Sequence, residues 1–152
     1  KTYDKLQTFV PIQDYQIDYY KNRFLKYINP GFIKCVTDEN DELVAFAITM
    51  PSFSNALKKI NGKVDFFGKL RLLHAKNFNH KGSLYLIGVR PDFQNKGVIA
   101  ILFNELQKFY NKFGITEVET NPELIENTAI QQLWKNYENN QHKNRATFTK
   151  QI

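Results

Sequence analysis

Gln94-Asn95-Lys96-Gly97 stands where a short apolar run, Leu84 to Val89, gives way through Arg90-Pro91-Asp92 to a helical pattern. A strand that passes through a glycine-bearing turn into a helix presents unspent backbone N–H groups at the helix start. Such groups, aided by the helix dipole, bind anions, phosphates above all. The N–H groups from about Asn95 to Ile99 are the expected donors. Gly97 lets a ligand approach the backbone closely, and Lys96 adds a charge at the rim. The alternative is that Gly97 only packs this helix against the preceding strand.

Other groups with chemical potential are fewer. Glu117 and Glu119 are two residues apart on a short β-branched segment, so as a strand they project to one face, and either is a candidate base. Ser83 and Tyr85 lie near the start of the apolar run, where no acid is found. His74, His80 and His142 have no ligand-type spacing with acids or with each other, so no metal site is expected. Cys35 is alone, which rules out an internal disulfide and suits a reducing, cytoplasmic setting.

The elements that must position these groups follow from periodicity. Leu6 to Val10 reads as a short strand and Asp14 to Ile28 as a helix, stopped by Asn29-Pro30-Gly31. Phe32 to Thr37 and Leu43 to Met50 form a hairpin about Asp38-Glu39-Asn40-Asp41. A helix capped by Ser52 runs to about Ile60, and a basic amphipathic one covers Phe66 to Phe78. Asn79 to Ser83 is a loop. Leu84 to Val89, apolar almost throughout, suits a central strand covered on both faces, with Gly88 marking a bulge or a close approach of another chain. Val98 to Phe113 carries Ile99, Leu102, Phe103, Leu106, Phe109, Tyr110 and Phe113 on one stripe and ends at Gly114. Ile115 to Thr120 is a strand, Asn127 to Tyr137 a helix, and Ala146 to Ile152 a last strand. An antiparallel first half and a βαβ second half imply a mixed α/β sheet with helices on both faces.

The 152 residues suit a single domain, 1–152, with an ample apolar share for one core. No apolar run is long enough to span a bilayer, and no membrane partner is expected. Seven of the 21 basic residues but one of the 15 acidic ones fall between Ser52 and Gly82, so this segment carries the whole +6. It reads either as a solvated helical face or as a surface for an acidic substrate or partner. Nucleic acid is not the expected partner, because Phe66, Phe67 and Phe78 among these bases have helical, core-like spacing.

This order of elements, with Val89-Arg90-Pro91 and Gln94-Asn95-Lys96-Gly97-Val98-Ile99, resembles the GNAT acyltransferase superfamily. In the pattern Q/R-x-x-G-x-G/A, Gln94 and Gly97 match and Ile99 takes the place of a small residue. Asn127-Thr128-Ala129-Ile130 and Leu133 are similar to the later family motif. Glu119-Thr120-Asn121-Pro122-Glu123 and Gln141-His142-Lys143 resemble longer bacterial members, of which this chain, starting at Lys1, would be the C-terminal part.

The resemblance implies the GNAT fold, with a basic helical insertion at about 52–82 on the acceptor side of the sheet. It implies an acyl-CoA-dependent N-acyltransferase using acetyl-CoA. The acceptor would be an amine of a small molecule or peptide, possibly acidic, with an N-terminal domain of the same protein as a further partner. The coenzyme-binding residues would be Gly88, Val89, Gln94, Asn95, Lys96, Gly97, Val98, Ile99, Asn127 and Trp134. The catalytic candidates are Glu119 as base and Tyr85 or Tyr137 as acid. The position seven residues after Asn127, where the family has its usual tyrosine acid, holds Trp134. A catalytically inactive module that binds CoA or another ligand is the alternative.

Overall fold

The computed structural model describes residues 12–23, 28–62 and 64–150. The chain divides into two compact units, Lys1–Glu119 and Thr120–Ile152. The strand expected at Leu6 to Val10 lies outside the described residues.

The first unit is built on a hairpin. Strand β1 (Ile33–Thr37) and strand β2 (Leu43–Pro51) pair antiparallel, as expected. Their turn is held by Asp38, whose Oδ1 accepts from the N–H of Asn40 (3.0 Å) and of Glu42 (3.1 Å). Strand β3 (Lys81–Val89) pairs antiparallel with β2, and strand β4 (Glu117–Thr120) lies beyond it, giving the order β1-β2-β3-β4 among the described residues. Helix α4 (Val98–Phe113) crosses from β3 to β4. The N–H groups of Thr116 and Glu117 both donate to His80 O, so β3 and β4 start side by side and run parallel. The sheet is therefore mixed. Helix α1 (Asp14–Arg23), helix α2 (Ser54–Ile60) and helix α3 (Phe66–Asn77) complete the unit.

The buried face of β2 is made of Ala45, Ala47, Thr49 and Pro51. Opposite them stand Val89, Ile87, Leu84 and Gly82. The last two are even-numbered and the first two odd, because β3 has one residue more than β2 here. Ile48 faces Leu86, Thr49 faces Leu84, and Tyr85 is the extra residue of a β-bulge. The bulge expected at Gly88 falls at Tyr85 instead; Gly88 is buried and stands in register with Phe46. Tyr85 and Leu86 are both exposed, so β3 is central but not covered on both faces along its length.

Small alanines on β2 let α4 lie close. Leu102 and Leu106 are each 1% exposed, and each such burial contributes about 1.5–3 kcal/mol. Phe32 is buried edge-on against Phe109, 4.8 Å between centroids. Gly31 beside it has no room for a side chain, since a Cβ would stand 2.2 Å from the Phe109 ring. Thr49, fully buried, donates to Phe32 O at 2.8 Å. The Tyr110 hydroxyl is buried beside Thr49 without a hydrogen bond of full geometry among the described residues. Burial pushes its pKa above the ordinary tyrosine value, with Thr49 pulling part of the way back.

Three expectations need correction. Ser52 does not cap α2: Phe53 holds the cap position with no side-chain bond, while Ser52 Oγ accepts weakly from Ser54 N (3.4 Å). Residues 81–83 are strand rather than loop, because Pro51, Met50 and Thr49 extend β2 far enough to pair with Gly82, Ser83 and Leu84. Residues 146–150 form no strand and are exposed.

In the second unit, helix α5 (Thr128–Trp134) follows Asn127 and loosens into turns at Lys135 and Asn136, three residues short of the expected end at Tyr137.

Candidate functional site

The turn between β3 and α4 is the centre of the site. The Arg90 N–H still belongs to the sheet, donating to Val44 O at 2.8 Å. Pro91–Phe93 form a single 3-10 turn, and Gln94 is extended. Asn95 has φ 60° and Gly97 has φ 75°. Two left-handed residues so close together turn the backbone sharply, and Gly97 serves as the cap of α4. The first carbonyl to enter the helix is that of Gly97, which accepts from Ala100 N (3.0 Å) and Ile101 N (3.3 Å). The N–H groups of Asn95, Lys96, Gly97, Val98 and Ile99 make no hydrogen bond of full geometry among the described residues. The sequence therefore builds a run of available donors at the positive end of a 16-residue helix.

Gly97 is not a packing glycine. A Cβ there would meet nothing within 4 Å, so what requires glycine is the positive φ, and the space over the donors is open. Val98 is buried and Ile99 half-buried. Ile99, standing where the GNAT pattern has a small residue, is thus directed partly into the protein.

Arg90 braces this turn. It holds Asp92 with Nε (2.9 and 3.1 Å to the two oxygens), Glu42 with Nη1 (3.0 Å) and Asp38 with Nη2 (3.4 Å). Asp38 and Glu42 belong to the β1–β2 turn, so one guanidinium ties the hairpin to the donor loop. The hydrogen bond to Asp92 raises the Arg90 pKa, and the bond from Arg90 holds the Asp92 carboxyl below its usual range. Arg90 (4.6 Å) and Lys96 (5.0 Å) both lie against the Phe93 ring, which keeps two cations beside the turn. Gln94 reaches back toward Val89 O at 3.5 Å.

The other candidates divide between the units. Gly88 and Val89 are buried near the end of β3, two and one residues before Arg90. Tyr85 is the exposed bulge residue of the same strand. Glu119 lies half-buried on β4, whereas its companion Glu117 is exposed and ion-paired with Lys81. The first unit thus carries Tyr85, Gly88 and Val89 on β3, Gln94 to Ile99 in the turn that leaves it, and Glu119 on the neighbouring strand β4.

Asn127, Trp134 and Tyr137 fall in the second unit. The Trp134 indole N–H donates to Glu123 Oε1 at 2.8 Å, and its ring meets Tyr137 edge-on at 6.3 Å. Asn139 Nδ2 donates to the carbonyls of both Trp134 and Tyr137. Asn127 precedes α5 without a side-chain capping bond.

Two functional contacts escape sequence reasoning. The Arg90 brace joins residues about 50 positions apart, and no periodicity encodes it. The Glu123–Trp134 bond crosses a polar loop; a lone tryptophan near an acid was the only signal.

No curated protein matches the chain. Among solved structures it is similar to the aminoglycoside 6'-N-acetyltransferase AAC(6')-Ig of Acinetobacter haemolyticus, at 14% identity and TM-score 0.57, covering 94% of this chain and 85% of that one. AAC(6')-Ih of Acinetobacter baumannii is similar at 12% identity and TM-score 0.54, covering 95% and 84%. The aminoglycoside acetyltransferase meta-AAC0020 from an uncultured soil metagenomic sample, in complex with sisomicin, is similar at 11% identity and TM-score 0.51, covering 97% and 79%. At these identities the likeness is one of fold. The acetyltransferase (GNAT) family description matches residues 2–137, which contain the donor turn and every other candidate residue, and the chain belongs to that family.

Proposed function

We propose that this chain is an acyl-CoA-dependent N-acyltransferase, with acetyl-CoA as donor and an amine of a small molecule or peptide as acceptor. The observation that carries the reading is the row of available N–H groups from Asn95 to Ile99, opened by Gly97 at the start of α4. That donor set suits a pyrophosphate, and Lys96 adds a positive charge beside it. The family and the small-molecule amine acetyltransferases that share the fold support the same chemistry.

When bound, acetyl-CoA supplies a reactive thioester. In this reading, the backbone of Gly88 and Val89 aligns the pantetheine arm beside β3. Val98 and Ile99 complete the floor of the turn, and Gln94 holds it to the end of the strand. Glu119 accepts the proton of the attacking amine, directly or through water. Tyr85 donates a proton to the departing sulfur. The Trp134 indole N–H is donated to Glu123, so Trp134 is not the acid. Orientation of the two reactants supplies several kcal/mol of the acceleration.

Calorimetric titration with acetyl-CoA, followed by thiol release with a panel of amines, tests this. Micromolar binding with turnover on at least one amine is expected. Binding without turnover on any amine overturns the enzyme reading, and absence of binding overturns both parts.

Arg90 adds a sharper prediction. Arg90→Ala frees the donor turn from the hairpin and should weaken acetyl-CoA binding about tenfold. Arg90→Lys should recover only part of the loss, because an ammonium cannot hold Asp92, Glu42 and Asp38 at once. Calorimetry on the two variants decides it.

A further inference from the structure

Helix α3 leaves its larger side chains outside. Gly68 is buried and Leu72 and Ala75 are half-buried, so the helix rests on the unit through these three residues. Phe66 is 70% exposed and Phe67 68%, and Phe78, just past the helix, is 72% exposed; Leu70 and Leu73 are exposed as well. At 3.6 residues per turn, Leu73, Phe66, Leu70, His74 and Phe67 follow one another round an arc of roughly 120°, broken only by Asn77 at the helix end. Phe78 extends it, stacked on His74 at 5.3 Å. Lys69 and Lys76 border the arc on one side and Arg71 on the other. Apolar residues thus lie on two opposite sides of one helix, one against the protein and one against solvent.

The charges are equally one-sided. Among the described residues, Lys58, Lys59, Lys69, Arg71 and Lys76 are paired with no carboxylate. The single acid of the segment, Asp65, is spent as the cap of α3, accepting from Gly68 N at 2.7 Å. Arg71 Nη1 donates to Lys59 O at 3.3 Å, which ties the middle of α3 to the basic end of α2.

We propose that this ridge docks the protein on an anionic lipid surface. A convex apolar crest flanked by long cationic side chains matches the boundary of a bilayer: rings enter the acyl region, and ammonium and guanidinium groups spread at headgroup level. These five cations supply the attraction. A second copy of this chain is a poorer occupant, because it would set one basic surface against another. No helix of the described residues is long and apolar enough to cross a membrane, so the contact is one of surface only.

Co-sedimentation of the whole chain with vesicles tests the proposal. One vesicle set is phosphatidylcholine alone, and the other contains about one-third phosphatidylserine. Binding to the anionic set only, weakening with salt, is expected. Phe67→Ser/Phe78→Ser should lower the partition coefficient about tenfold per phenylalanine. Lys69→Glu/Lys76→Glu should lower it by a similar factor. All four side chains are solvent-facing, so both variants should keep the parent's thermal midpoint and its acetyl-CoA affinity. Undiminished binding of the double-phenylalanine variant would reduce the effect to bulk charge and overturn the proposal. So would binding to neither vesicle set, or capture by an acidic polypeptide such as polyglutamate with no vesicle binding.

Discussion

Gly97→Trp is expected to abolish acetyl-CoA binding, while Gly97→Ala keeps a measurable part of it. Both variants force a side chain onto a residue with φ 75°, at a cost of about 1–2 kcal/mol. In a chain of this length that lowers the thermal midpoint by about 2–8 °C. The variants differ in reach. An alanine methyl points into space that holds nothing within 4 Å. An indole fills that space and covers the N–H groups of Asn95 to Ile99. Affinity should fall less than tenfold for alanine and at least a hundredfold for tryptophan. Calorimetry with a parallel melting curve separates strain from obstruction. Equal losses in the two variants would mean that the coenzyme does not pass over this turn.

Leu102→Ala should be the most damaging single change to stability. Leu102 is 1% exposed on the face of α4 that packs against the alanines of β2. Neither the helix nor the sheet can close the space that the three lost carbon groups leave, so the expected cost is about 2–5 kcal/mol. That is a large part of the total stability of a domain, commonly about 5–15 kcal/mol. Urea unfolding should show a lower midpoint with an unchanged slope. Coenzyme affinity at low temperature should change little, because Leu102 lies one turn beyond the donors. A loss of binding without a loss of stability would show that the core of α4 and its first turn are more tightly coupled than the packing indicates.

The sequence made the donor turn readable because its signals are local. Gln94 to Gly97 sits between an apolar run and a 3.6-residue period, and α4 runs from Val98 to Phe113 with Gly114 behind it, as the periodicity required. The hairpin was readable for the same reason. The bulge was not: Tyr85 and Leu86 are both apolar, so a break in alternation leaves no trace in a run that is apolar throughout. The residues of 81–83 look like loop because they are polar and glycine-bearing, yet β2 is long enough to pair with them. Ala146 to Ile152 has strand-forming residues, but propensity makes no strand where no ladder is completed. At the site, Gln94, Lys96 and Gly97 were legible, whereas the Arg90 brace depends on the folded proximity of Asp38 and Glu42. The crest of α3 was hidden because phenylalanines at helical spacing read as core unless their exposure is known.

The extra residue in β3 has a consequence for how this sheet is built. Remove Tyr85 and Leu84 would adjoin Leu86, opposite Thr49 and Ile48, which are themselves adjacent. Every remaining side chain would keep the face it has now, and the ladder would run without a break. For pairing alone, a strand one residue shorter is the better strand. The chain instead carries a residue its sheet does not need, and the bend that this residue makes sets the heading at which β3 arrives at Arg90. The length of β3 is thus tuned to aim the turn that follows it.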